Sequence, residues 1–337
     1  MKVLVTGGAG YIGSHTVVEL LASGHEPVIL DNFANSSPLA VDAVRRVANR
    51  DVPLVRGDVT DDDCLNTVFG GTDFDAVIHF AALKAVGDSV ADPLRYFRNN
   101  VAGTATLLDR MAAHGVKTIV FSSSAAVYGD PASVPIAEDE PAQPSSPYAR
   151  SKVVAEDLLR DLHAADPGWL VSVLRYFNAV GAHPTGHLGE DPAGTPANLL
   201  PYVAQVALGQ RDFVPVFGDD YATADGTGVR DYLHVCDLAR GHRLALEHLA
   251  AGPRFAVHNL GTGRGSSVYD VIHAFERACG RALPTRVVAR RPGDVVVSIA
   301  NPERANTDLG WQPAHDLDDC CRDLWRWCRA HPHGFGD

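Results

Sequence analysis

Two side chains able to take part in proton transfer stand four residues apart in the stretch Pro147-Tyr148-Ala149-Arg150-Ser151-Lys152. The residues that follow are typical of a helix, where positions i and i+4 share one face, so the phenol and the ammonium can point into one site. A free phenol has a pKa of ~10, whereas a general base acts best near the operating pH. Lowering that pKa to ~7 takes roughly 4 kcal/mol, and a fixed cation within ~4–6 Å acts in this direction. The spacing predicts a tyrosine base activated by Lys152, with an ordinary amphipathic pair as the alternative.

A cluster of hydroxyl groups comes shortly before this stretch. Ser122-Ser123-Ser124 lies at the end of a predicted strand over residues 118–122. Open α/β sheets bind ligands beyond the carboxyl ends of their strands, so a reacting hydroxyl would be met at this place. A serine-rich turn is the alternative.

A glycine-rich turn near the start of the chain predicts the cofactor. A buried strand is expected over residues 2–6, then Gly7, Gly10 and Gly13, then a helix over residues 14–21. In this context glycines allow a tight turn and close approach of a pyrophosphate to a helix N-terminus. Asp31 ends the next predicted strand, where an acidic residue would bind a ribose 2′-hydroxyl and repel a 2′-phosphate. NAD is therefore favoured over NADP, although Asp31 could instead be a capping residue.

Strands and helices alternate through the first half of the chain. Further strands are expected over residues 54–56, 76–80 and 171–176, and a helix carrying Asn99 over residues 93–114. Asp58 follows the third strand, where an adenine contact is plausible. This alternation predicts an α/β fold, a Rossmann-type doubly wound parallel sheet.

Composition excludes several classes of partner. The formal net charge is −12, the pI is about 5.6, and no basic stripe is present. Nucleic acid and anionic membranes are poor partners for such a chain, so an anionic ligand would need individually placed arginines. Six cysteines without a C-x-x-C motif predict reduced thiols. The sequence contains no signal-peptide core or apolar run of roughly 20 residues, and we expect a cytoplasmic protein without a metal.

These motifs, taken in order, resemble the extended short-chain dehydrogenase/reductase family, and within it the enzymes that invert C4 of UDP-hexoses. The resemblance extends from residue 1 to the C-terminal tail at residues 331–334. Its most specific segments are residues 3–15, 30–32, 121–124, 127–129, 174–178, 180–184 and 225–232.

The resemblance implies a mechanism. Tyr148 would remove the proton of the sugar 4-hydroxyl, Ser124 would bind the same oxygen, and Lys152 would hold the nicotinamide ribose and lower the Tyr148 pKa. Hydride would pass from C4 of UDP-glucose or UDP-galactose to tightly bound NAD+, giving a 4-keto sugar that takes the hydride back on its other face.

The resemblance also assigns binding residues and two domains. Residues 1–175 would form the NAD-binding domain, to which the chain returns around 230–252, and residues 176–337 a smaller α/β domain for the nucleotide sugar. The residues implied at the NAD site are Gly7, Gly10, Tyr11, Ile12, Gly13, Asp31, Asn32, Asn35, Asp58, Val59, Phe80, Ala81, Lys84, Asn99, Ser122, Tyr148, Lys152 and Tyr176. Those implied at the substrate site are Lys84, Ser124, Tyr148, Asn178, Asn198, Leu199, Phe217, Arg230, Tyr232, Arg291, Asp294 and Ser298.

One departure bears on the substrate. Family members with a bulky tyrosine at the position of Ser298 are restricted to plain hexoses, whereas a small residue opens room for a 2-acetamido group. We therefore hypothesise that UDP-N-acetylglucosamine and its galacto epimer are also accepted. A homodimer is expected through the 93–114 helix and the Tyr148 helix.

Two other functions remain open on sequence grounds. A nucleotide-sugar 4,6-dehydratase or decarboxylase shares the fold, but a dehydratase needs an acidic pair where this chain has Ala125-Ala126. A non-catalytic NAD-sensing module would not need Tyr148, Lys152 and Ser124 together. Fold alone does not decide between them.

Overall fold

A computed structural model describes residues 1–191, 196, 198–251, 254–291 and 293–336. The strands of this part of the chain are β1 (Lys2–Thr6), β2 (Glu26–Asp31), β3 (Leu54–Arg56), β4 (Ala76–His79), β5 (Thr118–Ser124), β6 (Leu170–Tyr176), β7 (Asn178–Val180), β8 (Val214–Phe217), β9 (Val229–Arg230), β10 (Tyr232–His234), β11 (Phe255–Leu260), β12 (Ser266–Ser267), β13 (Thr285–Val288) and β14 (Val297–Ser298).

The α-helices of the same part are α1 (Tyr11–Ala22), α2 (Pro38–Ala48), α3 (Asp62–Gly70), α4 (Val86–Ala91), α5 (Pro93–Tyr96), α6 (Gly103–Ala113), α7 (Pro147–Ala165), α8 (Leu199–Ala207), α9 (Val235–Leu249), α10 (Val268–Cys279), α11 (Glu303–Leu309) and α12 (Leu317–Ala330). None of these helices is long and apolar enough to cross a membrane.

Seven strands form the main sheet in the order β11-β6-β5-β4-β1-β2-β3, and every neighbouring pair is parallel. The chain builds outward from β1 through β2 to β3, then crosses to β4 on the other side of β1. The loops after β1 and β4 therefore diverge and leave a crevice at the carboxyl ends of the strands. The predicted Rossmann-type doubly wound sheet is confirmed.

Side chains of the main sheet alternate between two cores. Val3 in β1 packs on the face covered by Val17 of α1 and Leu246 of α9, whereas Leu4 faces Leu107 of α6. Helices cover both faces, which explains why the strands are continuous apolar runs in the sequence.

A third core lies in the second half of the chain. Helices α8, α10 and α12 bring Val203, Phe275 and Trp327 against Val216 of β8. Strands β8 and β13 form one small sheet and β9, β12 and β14 another. This is the smaller α/β unit that accompanies the main sheet.

Some element bounds differ from the predictions. The helix predicted over residues 93–114 consists of α5, a π-helical segment (Phe97–Ala102) and α6. Such wide turns often occur at functional sites, and this one carries Asn99. Helix α1 begins at Tyr11, ahead of the predicted residue 14, and β5 continues to Ser124.

Candidate active site

The glycine turn lies between β1 and α1 and leaves the helix N-terminus open. Gly7 has φ +70°, and a Cβ there would lie 2.8 Å from the backbone nitrogen of Ala81. A Cβ at Gly13 would collide with the carbonyl oxygen of Gly7. Gly10 is the N-cap of α1 and has no side chain, so no side-chain hydrogen bond covers the N–H groups of the first turn. These N–H groups face the crevice, where they can bind an anion. The backbone thus fits the pyrophosphate of a dinucleotide, with Tyr11 and Ile12 in the first turn.

Acidic side chains gather at the carboxyl ends of β2 and β3. Asp31 is buried and accepts hydrogen bonds from the Ala9 nitrogen at 2.9 Å and the Ser36 hydroxyl at 2.7 Å. It therefore ties the glycine turn to the loop after β2, and the ribose contact stays a prediction.

Asp58, after β3, accepts a 2.7 Å hydrogen bond from the Asn32 amide. Burial acts to raise the pKa of Asp58, but hydrogen bonds from Thr60 and Asn32 outweigh it and lower the pKa. Val59 is buried beside it, while Asn35 is exposed in the loop before α2.

The loop after β4 carries Phe80, Ala81 and Lys84. The Phe80 ring lies 4.6 Å from the His242 ring, centroid to centroid, and the Lys84 ammonium is 2.8 Å from a carboxylate oxygen of Glu190.

Asn100 holds this loop in place. Its Oδ1 accepts from the Leu83 nitrogen at 2.8 Å, and its Nδ2 donates to the Leu83 carbonyl and the Ser151 hydroxyl, both at 3.0 Å. The neighbouring Asn99 donates to Asn100. Asn100 therefore joins the Lys84 loop to α7.

Serine hydroxyls and the tyrosine meet at the end of β5. Ser124 is the last residue of β5 and Tyr148 lies in the first turn of α7, where the Ser124 hydroxyl acts to lower the pKa of the Tyr148 phenol. The Ser122 hydroxyl is bonded to the Tyr176 hydroxyl on the adjacent strand β6. The structure thus brings Ser124 and Tyr148 together as predicted.

The ammonium of Lys152 is engaged elsewhere. Its Nζ donates to the Ser122 carbonyl at 2.7 Å and lies 4.9 Å from the Phe121 ring centroid. Burial lowers the pKa of Lys152 to about 8, opposed by the carboxylate of Glu156.

Among the described residues, Lys152 is not one of the groups that lower the pKa of Tyr148, and its activating role stays a prediction. Burial raises the pKa of Tyr148 above its ordinary value, and the effects that oppose this are the Ser124 hydrogen bond and the charge of Lys84. The i,i+4 spacing gives a shared helix face, but it does not fix which partner the long lysine side chain reaches.

Residues predicted to bind substrate converge in the second half of the chain. Asp294 lies between two guanidinium groups, with Arg291 Nε at 3.2 Å and Arg230 Nη2 at 3.9 Å from its oxygens. The Arg291 guanidinium also lies 4.4 Å from the Phe217 ring centroid. Two cations around one carboxylate leave a net positive charge, as binding of a diphosphate requires.

The small strands connect the other members of this group. Ser298 in β14 is in register with Arg230 in β9, and Tyr232 in β10 is in register with Asn178 in β7. Burial raises the pKa of Tyr232 to about 12.

Two further predicted residues begin α8. The side chain of Asn198 makes no capping bond to that helix, and Leu199 packs against the third core. Within the described residues, no hydrogen bond or ion pair joins Asn35, Asn198 or Leu199 to the other predicted positions.

Sequence reasoning missed Asn100 and Glu190. Two adjacent asparagines inside a helix could have signalled the first, because asparagine competes with the helix backbone for hydrogen bonds. Glu190 gave no local signal, since its partner Lys84 is 106 residues away.

Three features define the class of this protein: the sheet order, the open glycine turn, and the placement of Ser124 and Tyr148 at the crevice. They are the features of Rossmann-type proteins that bind a dinucleotide next to a serine and a tyrosine. The chain belongs to the NAD dependent epimerase/dehydratase family, whose model matches residues 3–261. The family expected from the motifs is confirmed.

Individual relatives are similar over the whole chain. The UDP-glucose 4-epimerase of Mus musculus is 53% identical over 342 positions, and that of Bacillus subtilis (strain 168) 51% identical over 335, each covering 99% of both chains. Among solved structures, UDP-glucose 4-epimerase from Bifidobacterium longum in complex with NAD+ and UDP superposes with a TM-score of 0.96 at 49% identity. That match covers 99% of this chain and 100% of the other.

Proposed function

We propose that this chain is a UDP-glucose 4-epimerase, an isomerase that interconverts UDP-glucose and UDP-galactose with NAD as its resident cofactor. The observation that carries the proposal is the placement of Ser124 at the end of β5 and Tyr148 in the first turn of α7, on the same sheet as the open glycine turn. Full-length likeness to UDP-glucose 4-epimerases supports it. The dehydratase alternative is not favoured, because Ala125 and Ala126 cannot transfer protons.

The chain's own residues manage the proton. When bound, NAD would supply a reversible hydride acceptor for the hydrogen at C4. Tyr148 would act as its phenolate, taking the 4-hydroxyl proton at its phenolic oxygen as the C4 hydrogen leaves, so that a carbonyl forms at C4, and it would give the proton back in the second half-reaction. Ser124 bonds the same oxygen and keeps it within reach of Tyr148.

Lys152 is proposed to orient the cofactor. Its Nζ uses one donor on the Ser122 carbonyl, and an ammonium has three. The other two can hold the hydroxyls of the nicotinamide ribose.

Arg230 and Arg291 are proposed to clamp the UDP diphosphate, with Phe217 supporting the Arg291 guanidinium. Planar guanidiniums match phosphate oxygens well. The net positive charge around Asp294 would attract an anion to a protein with a net charge of −12.

Ser298 is proposed to admit the N-acetyl sugars. It lies beside Arg230 on a strand pair that is only partly buried, and its small side chain leaves room at the sugar. The native enzyme should turn over UDP-N-acetylglucosamine, Ser298→Tyr should lose that activity selectively, and Ser298→Ala should keep both. Absence of N-acetyl turnover by the native enzyme would defeat this part of the proposal.

The central experiment mixes the purified protein with UDP-galactose, without added NAD, and follows UDP-glucose. We expect product from the native protein and a loss of at least about 10²-fold in Tyr148→Phe, in line with the usual contribution of a general base. NAD released on denaturation should be present in both. Bound NAD without product would favour a sensing module, and loss of water from the sugar would indicate a dehydratase.

A homodimer is proposed through the helical stretch over residues 93–114, which comprises α5, the π-helical segment and α6, and through α7. Leu94 in α5 is 65% exposed and Val154 in α7 is also exposed, as are Val86 and Val90 in the preceding helix α4. Together these helices carry an apolar surface of the kind that marks interfaces. Light scattering should give twice the chain mass of 35.9 kDa, and Leu94→Glu should reduce it. A native monomer would refute the proposal.

We also propose that the protein is cytoplasmic and that its two functional parts divide near residue 175. Six free cysteines support a reducing compartment. The pairing of β11 with β6 supports a return of the chain to the first part. The expected return stretch ends at residue 252, outside the described residues. Localisation of a tagged chain in fractionated cells tests the first point.

A further inference from the structure

A buried carboxylate lies behind the residues proposed to bind substrate. Asp231 stands between β9 and β10 and is fully buried. Its Oδ1 accepts hydrogen bonds from the nitrogen and the hydroxyl of Thr262, at 2.8 Å and 2.6 Å. Its Oδ2 accepts from the nitrogens of Gly263 and Ala300, at 2.9 Å and 3.2 Å. These donors compensate the carboxylate for the loss of water, which would otherwise make its burial costly.

The donors come from two separate parts of the chain. Thr262 and Gly263 follow β11, the edge strand of the main sheet, whereas Ala300 follows β14 of a small sheet. The approach is close, because a Cβ at Gly261 would lie 2.7 Å from Asp231 Oδ2 and 2.5 Å from the Cβ of Ala300. The Asp231 carboxylate therefore joins the main sheet to strands that carry proposed substrate residues.

The backbone of Asp231 reaches two of those residues directly. Its nitrogen donates to the Ser298 carbonyl at 3.0 Å, and its carbonyl accepts from the Asn178 nitrogen at 3.0 Å. Arg230 and Tyr232 are its neighbours in the chain. A shift of residue 231 would thus move four residues of the proposed substrate site together.

We propose that Asp231 is a positioning residue, whose buried carboxylate fixes the residues that bind UDP and the sugar relative to the main sheet. The inference rests on the proposed function for the identity of the ligand. Loss of the carboxylate should weaken UDP binding and spare NAD binding, because the glycine turn follows β1 and three strands separate β1 from β11.

A second buried carboxylate serves as the control for a purely structural role. Asp237, in the first turn of α9, is also fully buried, and it accepts hydrogen bonds from the nitrogens of Ala314 and His315 and from the His315 ring. Among the described residues, none of its hydrogen bonds reaches a position proposed to bind UDP. Asp237→Asn should therefore lower stability and leave the affinity of the folded protein for UDP unchanged.

The test is calorimetric titration of the NAD-loaded protein with UDP. Asp231→Asn keeps the shape of the side chain but turns an amide donor towards other donors. We expect it to raise the Kd for UDP about 10- to 100-fold, the loss that misplaced supporting groups usually cause at a site. The amount of NAD released on denaturation should not change. In kinetics, the KM for UDP-galactose should rise by a larger factor than kcat falls.

A milder variant covers the case in which Asp231→Asn does not fold. Thr262→Val removes the hydroxyl bond to Asp231 and two bonds to the backbone of Arg264, but it keeps the bond from the Thr262 nitrogen. It should raise the Kd for UDP about 3- to 10-fold, as expected for the loss of one hydrogen bond to a charged group. Thr67→Val, which removes a hydroxyl bond within α3, is its control and should have no effect.

Failure of the positioning role and failure of the proposed function give different results. Unchanged UDP affinity in Asp231→Asn, or in Thr262→Val if Asp231→Asn does not fold, would overturn the positioning role, and so would an equal loss of affinity in Asp237→Asn. A native protein that binds UDP but does not epimerise UDP-galactose would refute the proposed function, while the titrations would still decide the role of Asp231. A native protein that does not bind UDP would refute both.

Discussion

Replacement of Arg175 by methionine should destabilise the protein severely, because it leaves a buried carboxylate without its partner. Glu156 in α7 and Arg175 in β6 are both almost fully buried, and Arg175 Nε lies 3.0 Å and 3.2 Å from the two carboxylate oxygens. The Ser123 hydroxyl bonds the same carboxylate. Loss of one member of such a pair costs about 3–5 kcal/mol.

The double variant separates charge from packing. In Arg175→Met with Glu156→Leu, the ion pair is replaced by apolar side chains, a change that is often neutral or stabilising. We expect the double variant to be more stable than Arg175→Met by at least ~2 kcal/mol. Glu156 is hydrogen-bonded to Ser123, which precedes Ser124 in β5. A Glu156 side chain displaced in Arg175→Met should therefore disturb Ser124 and lower epimerase activity.

Urea unfolding of the NAD-loaded protein at neutral pH, followed by circular dichroism, measures this difference. With an m-value of about 3 kcal/mol/M, the midpoint of Arg175→Met should fall by ~1–1.7 M and that of the double variant by much less. If the single variant loses no more stability than the double variant, the buried charge is not the cause and the reasoning is refuted.

Three further changes have expected outcomes. Gly13→Ala pushes a Cβ onto the Gly7 carbonyl and should abolish retention of NAD, measured as nucleotide released on denaturation. Retention of NAD at the wild-type level would contradict the idea that Gly13 is needed for close approach of the backbone to the nucleotide. Asn100→Ala removes both hydrogen bonds to Leu83 and the one to Ser151, and should cost about 3 kcal/mol at ~1 kcal/mol per buried bond. The loss is read from urea midpoints, and kcat should fall as well. Burial lowers the pKa of His242 to about 4. Above the unfolded pKa of ~6.5 the imidazole is neutral in both states, and folding stability is at its full value. As the pH falls from ~6.5 towards 4, the unfolded state takes up a proton that the folded state does not, so the free energy of unfolding falls by ~1.4 kcal/mol per pH unit. The urea midpoint should therefore drop between pH ~6.5 and 4, and it should drop less in His242→Phe. An equal drop in both proteins would exclude His242 as a cause of the pH dependence.

The local parts of the structure could be predicted from the sequence. Strand β3 has the predicted bounds. Strand β1 matches its apolar run, because a buried parallel strand must be apolar on both faces. The glycine turn was likewise recognisable, because only residues without a Cβ fit between Gly7, Gly13 and Ala81.

The parts that depend on distant contacts could not be predicted. The partner of Lys84 is 106 residues away and that of Lys152 is a backbone carbonyl 30 residues earlier. A carbonyl partner leaves no trace in residue identity. For the same reason the sequence could not show the burial of the Tyr148 phenol, which raises its pKa and is a property of the assembled crevice.

The position of β11 in the main sheet has a consequence for how the chain is made. Its partner β6 ends at Tyr176, but β11 begins only at Phe255, so the outer edge of β6 stays unpaired on the ribosome until the intervening segment has been synthesised. Val171 and Val173 keep that open strand apolar, and such edges recruit other chains. A fragment that stops at residue 175 should therefore aggregate, and the sheet of the first half can be completed only after much of the second half exists.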